Sequence, residues 1–381
     1  MSRSYFTSES VTCGHPDKVC DQIADRILDE ALKQDPESHV ACEVTACTDH
    51  VHIFGEITTD AKIDYEETAR KVIAGIGYTR KGKGFDADSV NITVDLHTQS
   101  PDIARGIKKS GASDEELNAG AGDQGMMFGY ACRQTDSFMP LPIELAHALT
   151  KKLEQVRRGQ ELSYLLPDGK SQVTVEYDGR VPKRISTVVI SSQHEEDIHI
   201  DELRSDIITH VIMPTLPKNM VDSDTQFFIN PTGRFARGGP AADSGLTGRK
   251  LIVDTYGGYS RHGGGSFSGK DASKVDRSGA YMARYMAKNI VACGLANECE
   301  VQLSYAIGLA DPTSVRVDTF GTGVFDDSLI CEAICRNVDP RPAAIIRKFD
   351  LVSPFFSLVS CYGHFGSNAS KMPWEALQKL Y

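Results

Sequence analysis

The sequence predicts an α+β fold: three related α+β units with pseudo-threefold symmetry, their mixed or antiparallel sheets covered by helices on one face. Two observations predict it. Along the 381 residues, a helix leading into a two-stranded hairpin occurs three times, the hairpins starting about 130 residues apart. Strands that come in hairpins make antiparallel or mixed sheets, whereas a doubly wound sheet needs strand–helix–strand crossovers throughout. The period is too long for a solenoid. Three unrelated α+β segments are the plainer alternative.

Each unit can be justified in order. "KVCDQIADRILDEALKQ" puts Val19, Ile23, Ile27, Leu28 and Leu32 on one helical stripe. It leads to "HVACEVTACTDHVHIFGEI", two strands around a Thr48–Asp49–His50 turn. "LPIELAHALTKKLEQVR" is helical and leads to a hairpin turning at Asp178–Gly179. "DRSGAYMARYMAKNIVACG" is helical and leads to a hairpin turning near Asp311–Pro312. A second helix and a strand follow in the first two units: "IDYEETARKVIAGIG" then "SVNITVDLH", and "IDELRSDIITHVIMPTL" then "TQFFINPTGRF". The third unit repeats the helix, "DDSLICEAICRNV", and then diverges. The chain divides at 1–110, 111–233 and 234–381, with exchange of segments between the spatial units allowed.

A net charge of −11 opposes broad binding to nucleic acid or to an acidic membrane surface. Neither partner is expected. The ten cysteines contain no C-x-x-C pair, so buried thiols in a reducing compartment are expected in place of a zinc site. "MSRSYFTSES" has no apolar core for a signal peptide, and no run reaches a membrane span. A cytoplasmic location is the expectation.

Chemistry concentrates in glycine-rich stretches. "GGGSFSGKDASK", Gly263 to Lys274, nearly completes the phosphate-loop pattern, but Asp271 stands where Ser or Thr would hold magnesium. "GHPDK" places His15, Asp17 and Lys18 at a helix start, where free N–H groups favour an anion by about 0.3–1 kcal/mol. Asp17 suits a hard cation; a capping Asp beside a surface His is the bland alternative. "NAGAGDQGMMFGYA" sets Asp123 among close turns. The preceding polar stretch from Gln99 reads as a lid over a site. "NPTGRFARGGPAADSGLTGRK" adds Arg234, Phe235, Arg237, Asp243, Arg249 and Lys250. A Walker loop has its helix directly behind it and an Asp on a later strand. Here Lys18, Arg249, Lys250, Lys270, Lys274 and His15 are expected to cage a whole triphosphate, with Asp17 and Asp276 holding metal.

"GHPDK", "GAGDQG", "NPTGRF" and "GGGSFSGKD" resemble, in order, the signature segments of the S-adenosylmethionine synthetase (methionine adenosyltransferase) family, and the resemblance covers nearly the whole chain. It implies three α+β domains and homodimers with shared active sites, paired into homotetramers. The implied reaction joins ATP to L-methionine, with two Mg2+ and one K+ per site. By motif, His15, Lys270 and Arg249 are the implied catalytic residues. ATP contacts are His15, Lys18, Asp168, Lys170, Arg234, Phe235, Asp243, Arg249, Lys250, Ser266 and Lys270. Methionine contacts are Glu56, Gln99, Asp123, Asp243 and Lys274. Asp17 and Asp276 match magnesium ligands and Glu43 the potassium ligand. Gln99 to about Lys109 matches a gating loop. The family often has Ala where Ser266 stands. An inactive nucleotide-binding relative is the alternative, and the Asp271 mismatch disfavours a P-loop kinase or GTPase.

Overall fold

The computed structural model describes residues 3–98 and 119–379. The three expected hairpins are present. β2 (His39–Cys47) and β3 (His50–Thr58) close through a two-residue turn, with Cys47 opposite His50. β6 (Leu165–Asp178) and β7 (Val181–His194) close the same way, Asp178 opposite Val181. β10 (Glu298–Tyr305) and β11 (Ser314–Asp318) are joined by a longer loop that contains Asp311 and Pro312. In the first two units the later strand, β4 (Asn91–His97) or β8 (Gln226–Ile229), adds in parallel to the second hairpin strand.

Each sheet also borrows a strand from another stretch of chain. β1 (Arg3–Val11) pairs antiparallel with β6, β5 (Gly125–Cys132) with β10, and the short β9 (Gly245–Leu246) with β2. The loan is cyclic. The strand just ahead of each unit's first helix completes the sheet of a different unit.

Those first helices are α1 (Pro16–Gln34), α3 (Leu141–Arg158) and α5 (Val275–Ala292). α1 packs on β2 and β9, α3 on β6 and β1, and α5 on β5 and β10. The predicted stripe Val19, Ile23, Ile27, Leu28, Leu32 is buried. One core joins the first and third sheets and a second fills the central unit. The second helices are α2 (Tyr65–Ile76), α4 (Ile200–Asp206) and α6 (Asp327–Asn337). α4 does not run on as one regular helix. It widens into a π turn over Ile207–Ile212 just before Pro214, whose ring and missing N–H oppose a regular α turn. The third unit diverges as expected, with α7 (Pro342–Phe349) and then irregular chain.

The ten cysteines all lie among the described residues. Five are buried, whereas Cys47 and Cys335 lie at the surface, so the expectation of buried thiols holds only in part. No described helix is long and apolar enough to cross a membrane.

Candidate active site

Pro16 starts α1 with a fixed φ, and His15 caps it, its Nδ1 accepting the Asp17 N–H at 3.2 Å. The proton of a neutral imidazole then sits on Nε2. Burial, followed by the charges of Lys250 and Lys170, pushes His15 down to about 2, so it is neutral. It offers one N–H beside a helix N-terminus. Asp17 is fully buried. Its Oδ1 accepts the Leu246 N–H at 3.0 Å and meets Arg249 Nε at 3.1 Å, and its Oδ2 meets Lys250 Nζ at 2.6 Å. A single carboxylate thus holds two cations from a segment more than two hundred residues away.

The near-P-loop stretch is built differently from a Walker loop. Gly269 has φ +81°, and a Cβ there would lie 1.9 Å from the Cys42 carbonyl oxygen, so the chain is pressed against β2. Lys270 forms an antiparallel bridge with Ala41, which sends its side chain to the Glu43 face of the sheet. Its Nζ reaches Asp276 Oδ2 at 2.8 Å. Asp271 is not a defective magnesium hydroxyl. It accepts the Val40 N–H at 2.6 Å and pairs with Lys274, stapling the loop to β2. Burial raises Glu43 to about 7, with Lys270 opposing and Asp21 and Glu56 adding to the rise.

A third group surrounds the start of β6. Asp168 Oδ2 accepts the Gly239 N–H at 2.8 Å, while its Oδ1 is buried without a hydrogen-bond partner. Burial raises Asp168 to about 6; Lys170 opposes the rise and Asp243 adds to it. Phe235 is held by a two-way bond with His194: its N–H donates to Nε2 at 3.0 Å and its carbonyl accepts the His194 N–H at 3.1 Å. Arg234 is exposed and pairs with Glu196 at 2.7 Å.

Most motif residues therefore converge. His15, Asp17, Lys170, Arg249 and Lys250 act electrostatically on one imidazole or share one carboxylate, and Lys270, Asp276 and Glu43 form the adjoining group. Added bulk at Gly248, next to Arg249, would meet Ser266 Cβ at 2.6 Å, which ties the two groups together. Glu56, opposite Ala41 on β3, adds its charge to the same Glu43 group and also pairs with His97 at 3.3 Å; Asp123 is exposed, its carboxylate accepting the Gln124 N–H. Gln99 and the proposed gating loop to Lys109 lie outside the described residues. Lys18 departs from expectation. It is fully buried, its ammonium bound to Asp254 and 3.0 Å from Asp21, so it braces the floor of the site from inside.

The residues that sequence reasoning missed are Asp21, Asp25, Asp254 and Arg277. The signal was present for two of them: Asp17, Asp21, Asp25 and Asp29 recur every fourth residue along α1. Among the described residues no three His, Cys, Asp or Glu side chains gather as a metal-binding set. The donors present are single hard carboxylates, Asp17 and Asp276, each facing cations. That fits a magnesium ion taking most of its shell from phosphate and water, the usual manner of that ion.

Comparison with known proteins agrees with this geometry. Family models described as the N-terminal, central and C-terminal domains of S-adenosylmethionine synthetase match residues 3–101, 118–235 and 237–376. Proteins named S-adenosylmethionine synthase from two strains of Staphylococcus epidermidis are each 54% identical, over 100% of this chain and 97% of their own length. The chain belongs to the S-adenosylmethionine synthetase family.

Proposed function

We propose that this chain makes S-adenosylmethionine from ATP and L-methionine and then hydrolyses the displaced tripolyphosphate to pyrophosphate and phosphate. The observation that carries this is the convergence of Arg249, Lys250, Lys270 and neutral His15 around Asp17 and Asp276, from segments far apart in the chain. The methionine sulfur attacks the ribose 5′ carbon. An S–C bond forms, the C–O bond breaks, and its electron pair leaves on the triphosphate. A thioether has no proton to lose, so no general base is required. Holding sulfur and carbon in line contributes on the order of 7–11 kcal/mol. The charge arriving on the leaving oxygens is met by the His15 Nε2–H and by Arg249, Lys250 and Lys270, the kind of preorganised donors that dominate many rate enhancements. Phosphates compete with Asp17 and Asp276 for these same N–H groups.

Asp168, Lys170, Arg234, Phe235 and Ser266 would hold the nucleoside, and Asp243 both substrates. Glu56, Gln99, Asp123 and Lys274 would hold methionine. Asp17 and Asp276 would hold two magnesium ions, which when bound neutralise phosphate charge, and Glu43 one potassium ion. Its burial-raised pKa marks a carboxylate that gains from an adjacent cation. The exposure of Lys170, Asp243 and Arg249 supports a site completed by a second copy, in a homodimer that pairs into a homotetramer. Cytoplasmic location is part of the same reading.

Purified protein incubated with ATP, methionine, magnesium and potassium tests it. The expected result is methionine-dependent release of phosphate and pyrophosphate with formation of a sulfonium product. ADP accumulation, or nucleotide binding without turnover, would overturn it.

A further inference from the structure

The three aspartates that follow Asp17 on α1 have no part in the chemistry just described. Asp21, Asp25 and Asp29 share one helix face by their four-residue spacing, and all are buried. Each accepts main-chain N–H groups from a distant loop. Asp21 Oδ1 takes the Gly248 N–H at 2.9 Å, and Asp25 Oδ1 takes the Gly269 N–H at 2.9 Å. Asp29 takes the N–H groups of Phe356 and Ser357 at 2.8 and 2.9 Å. Asp21 is balanced by Lys18, and Asp25 by a two-pronged contact from Arg277 at 2.6 and 3.0 Å. Arg277 in turn donates to the Lys270 carbonyl at 3.2 Å.

Stability alone does not account for this arrangement, because well-packed apolar residues often replace buried ion pairs without loss. The position of the captured amides does. Gly248 immediately precedes Arg249 and Lys250, and Gly269 immediately precedes Lys270. Both glycines have left-handed φ, +76° and +81°, so each arm of the cationic grip leaves a turn whose N–H is pinned to α1.

We propose that Asp21 and Asp25 are positioning residues for phosphate binding: α1 sets the spacing between the Arg249–Lys250 arm and the Lys270 arm by anchoring the glycine before each. The proposal rests on the function given above. Asp29 is the internal control. It lies on the same helix, is buried and likewise accepts main-chain N–H groups, but Phe356 and Ser357 adjoin no residue of the grip.

The test measures binding of inorganic tripolyphosphate with magnesium by calorimetry, the KM values for ATP and methionine, and the melting temperature. Asp21→Ala, in which Lys18 keeps Asp254, and Asp25→Ala are expected to weaken tripolyphosphate binding and raise the ATP KM roughly 10–100-fold, the scale of a misplacement of about 1 Å. The methionine KM should stay within about threefold, a split that general destabilisation does not produce. Asp29→Ala should lower the melting temperature and leave the ATP KM within about threefold. Folded Asp21→Ala protein that binds tripolyphosphate like the parent, or an equal loss in Asp29→Ala, would overturn the proposal. If Asp25→Ala fails to fold, two double variants remove both charges: Asp25→Asn/Arg277→Met, which keeps an acceptor for Gly269, and Asp25→Leu/Arg277→Met, which does not. Weaker tripolyphosphate binding in the second than in the first supports the anchoring, and equal binding in the two folded variants overturns the Asp25 half. Unaltered protein that makes no sulfonium product defeats the functional reading instead; the tripolyphosphate affinities still decide the positioning claim.

Discussion

α1 and α5 are both buried helices that carry charge inward, with opposite sign. α1 presents Asp17, Asp21 and Asp25 to backbone N–H groups of loops that bear the cationic residues, and Asp29 to those of Phe356 and Ser357. α5 presents Arg277, Arg284 and Lys288. Arg284 donates to the carbonyls of Tyr130, Ser137 and Phe138 and to both oxygens of Glu375, and Lys288 also meets Glu375 at 2.7 Å. The acidic helix gathers donors and so organises the mouth of the site. The basic helix gathers acceptors and so locks the C-terminal segment. They meet at Asp25 and Arg277. Buried charge of either sign is tolerated where each lone pair or proton finds a partner, and the sign decides which backbone groups it collects.

The contrast can be broken at either end. Glu375→Ala leaves Arg284 and Lys288 without their shared carboxylate and should cost about 3–5 kcal/mol of stability in urea unfolding; a loss below about 1 kcal/mol would erase the distinction between the helices. Lys270→Ala should lower turnover at least ~100-fold, about 2.7 kcal/mol of barrier, with little change in the unfolding midpoint. A near-normal rate would remove Lys270 from the phosphate grip. Asp17→Asn should raise the half-saturating magnesium concentration at least ~10-fold in a titration of activity, and an unchanged titration would exclude it as the ligand. Ser266→Ala, at a half-buried position, should leave turnover within about twofold, the scale of substitutions away from special features.

Much of this was legible in the chain. The hairpins show because β-periodicity and turn residues such as Asp178–Gly179 are local. The loan of β1, β5 and β9 is not legible, because a strand pattern does not say which distant strand it will join. Lys18 is expected on phosphate, and Asp21 and Asp25 carry no expected role, for one reason. Charged residues at helical spacing usually face water, and here Asp254, Gly248 and Gly269, far along the chain, supply the partners that let them be buried. Asp271 looked like a flaw in a phosphate loop because its true partner, the Val40 N–H, lies on β2, more than two hundred residues away.

The cyclic loan of strands bears on how the chain acquires its shape during synthesis. Most multi-domain chains complete each domain as it emerges from the ribosome, the N-terminal one first. Here β1 is made well ahead of its sheet partner at residues 165–178, while the first sheet waits for residues 245–246 to gain its last strand. Strands already translated are thus held in suspense, and the ring closes only when β10, the partner of β5, is in hand.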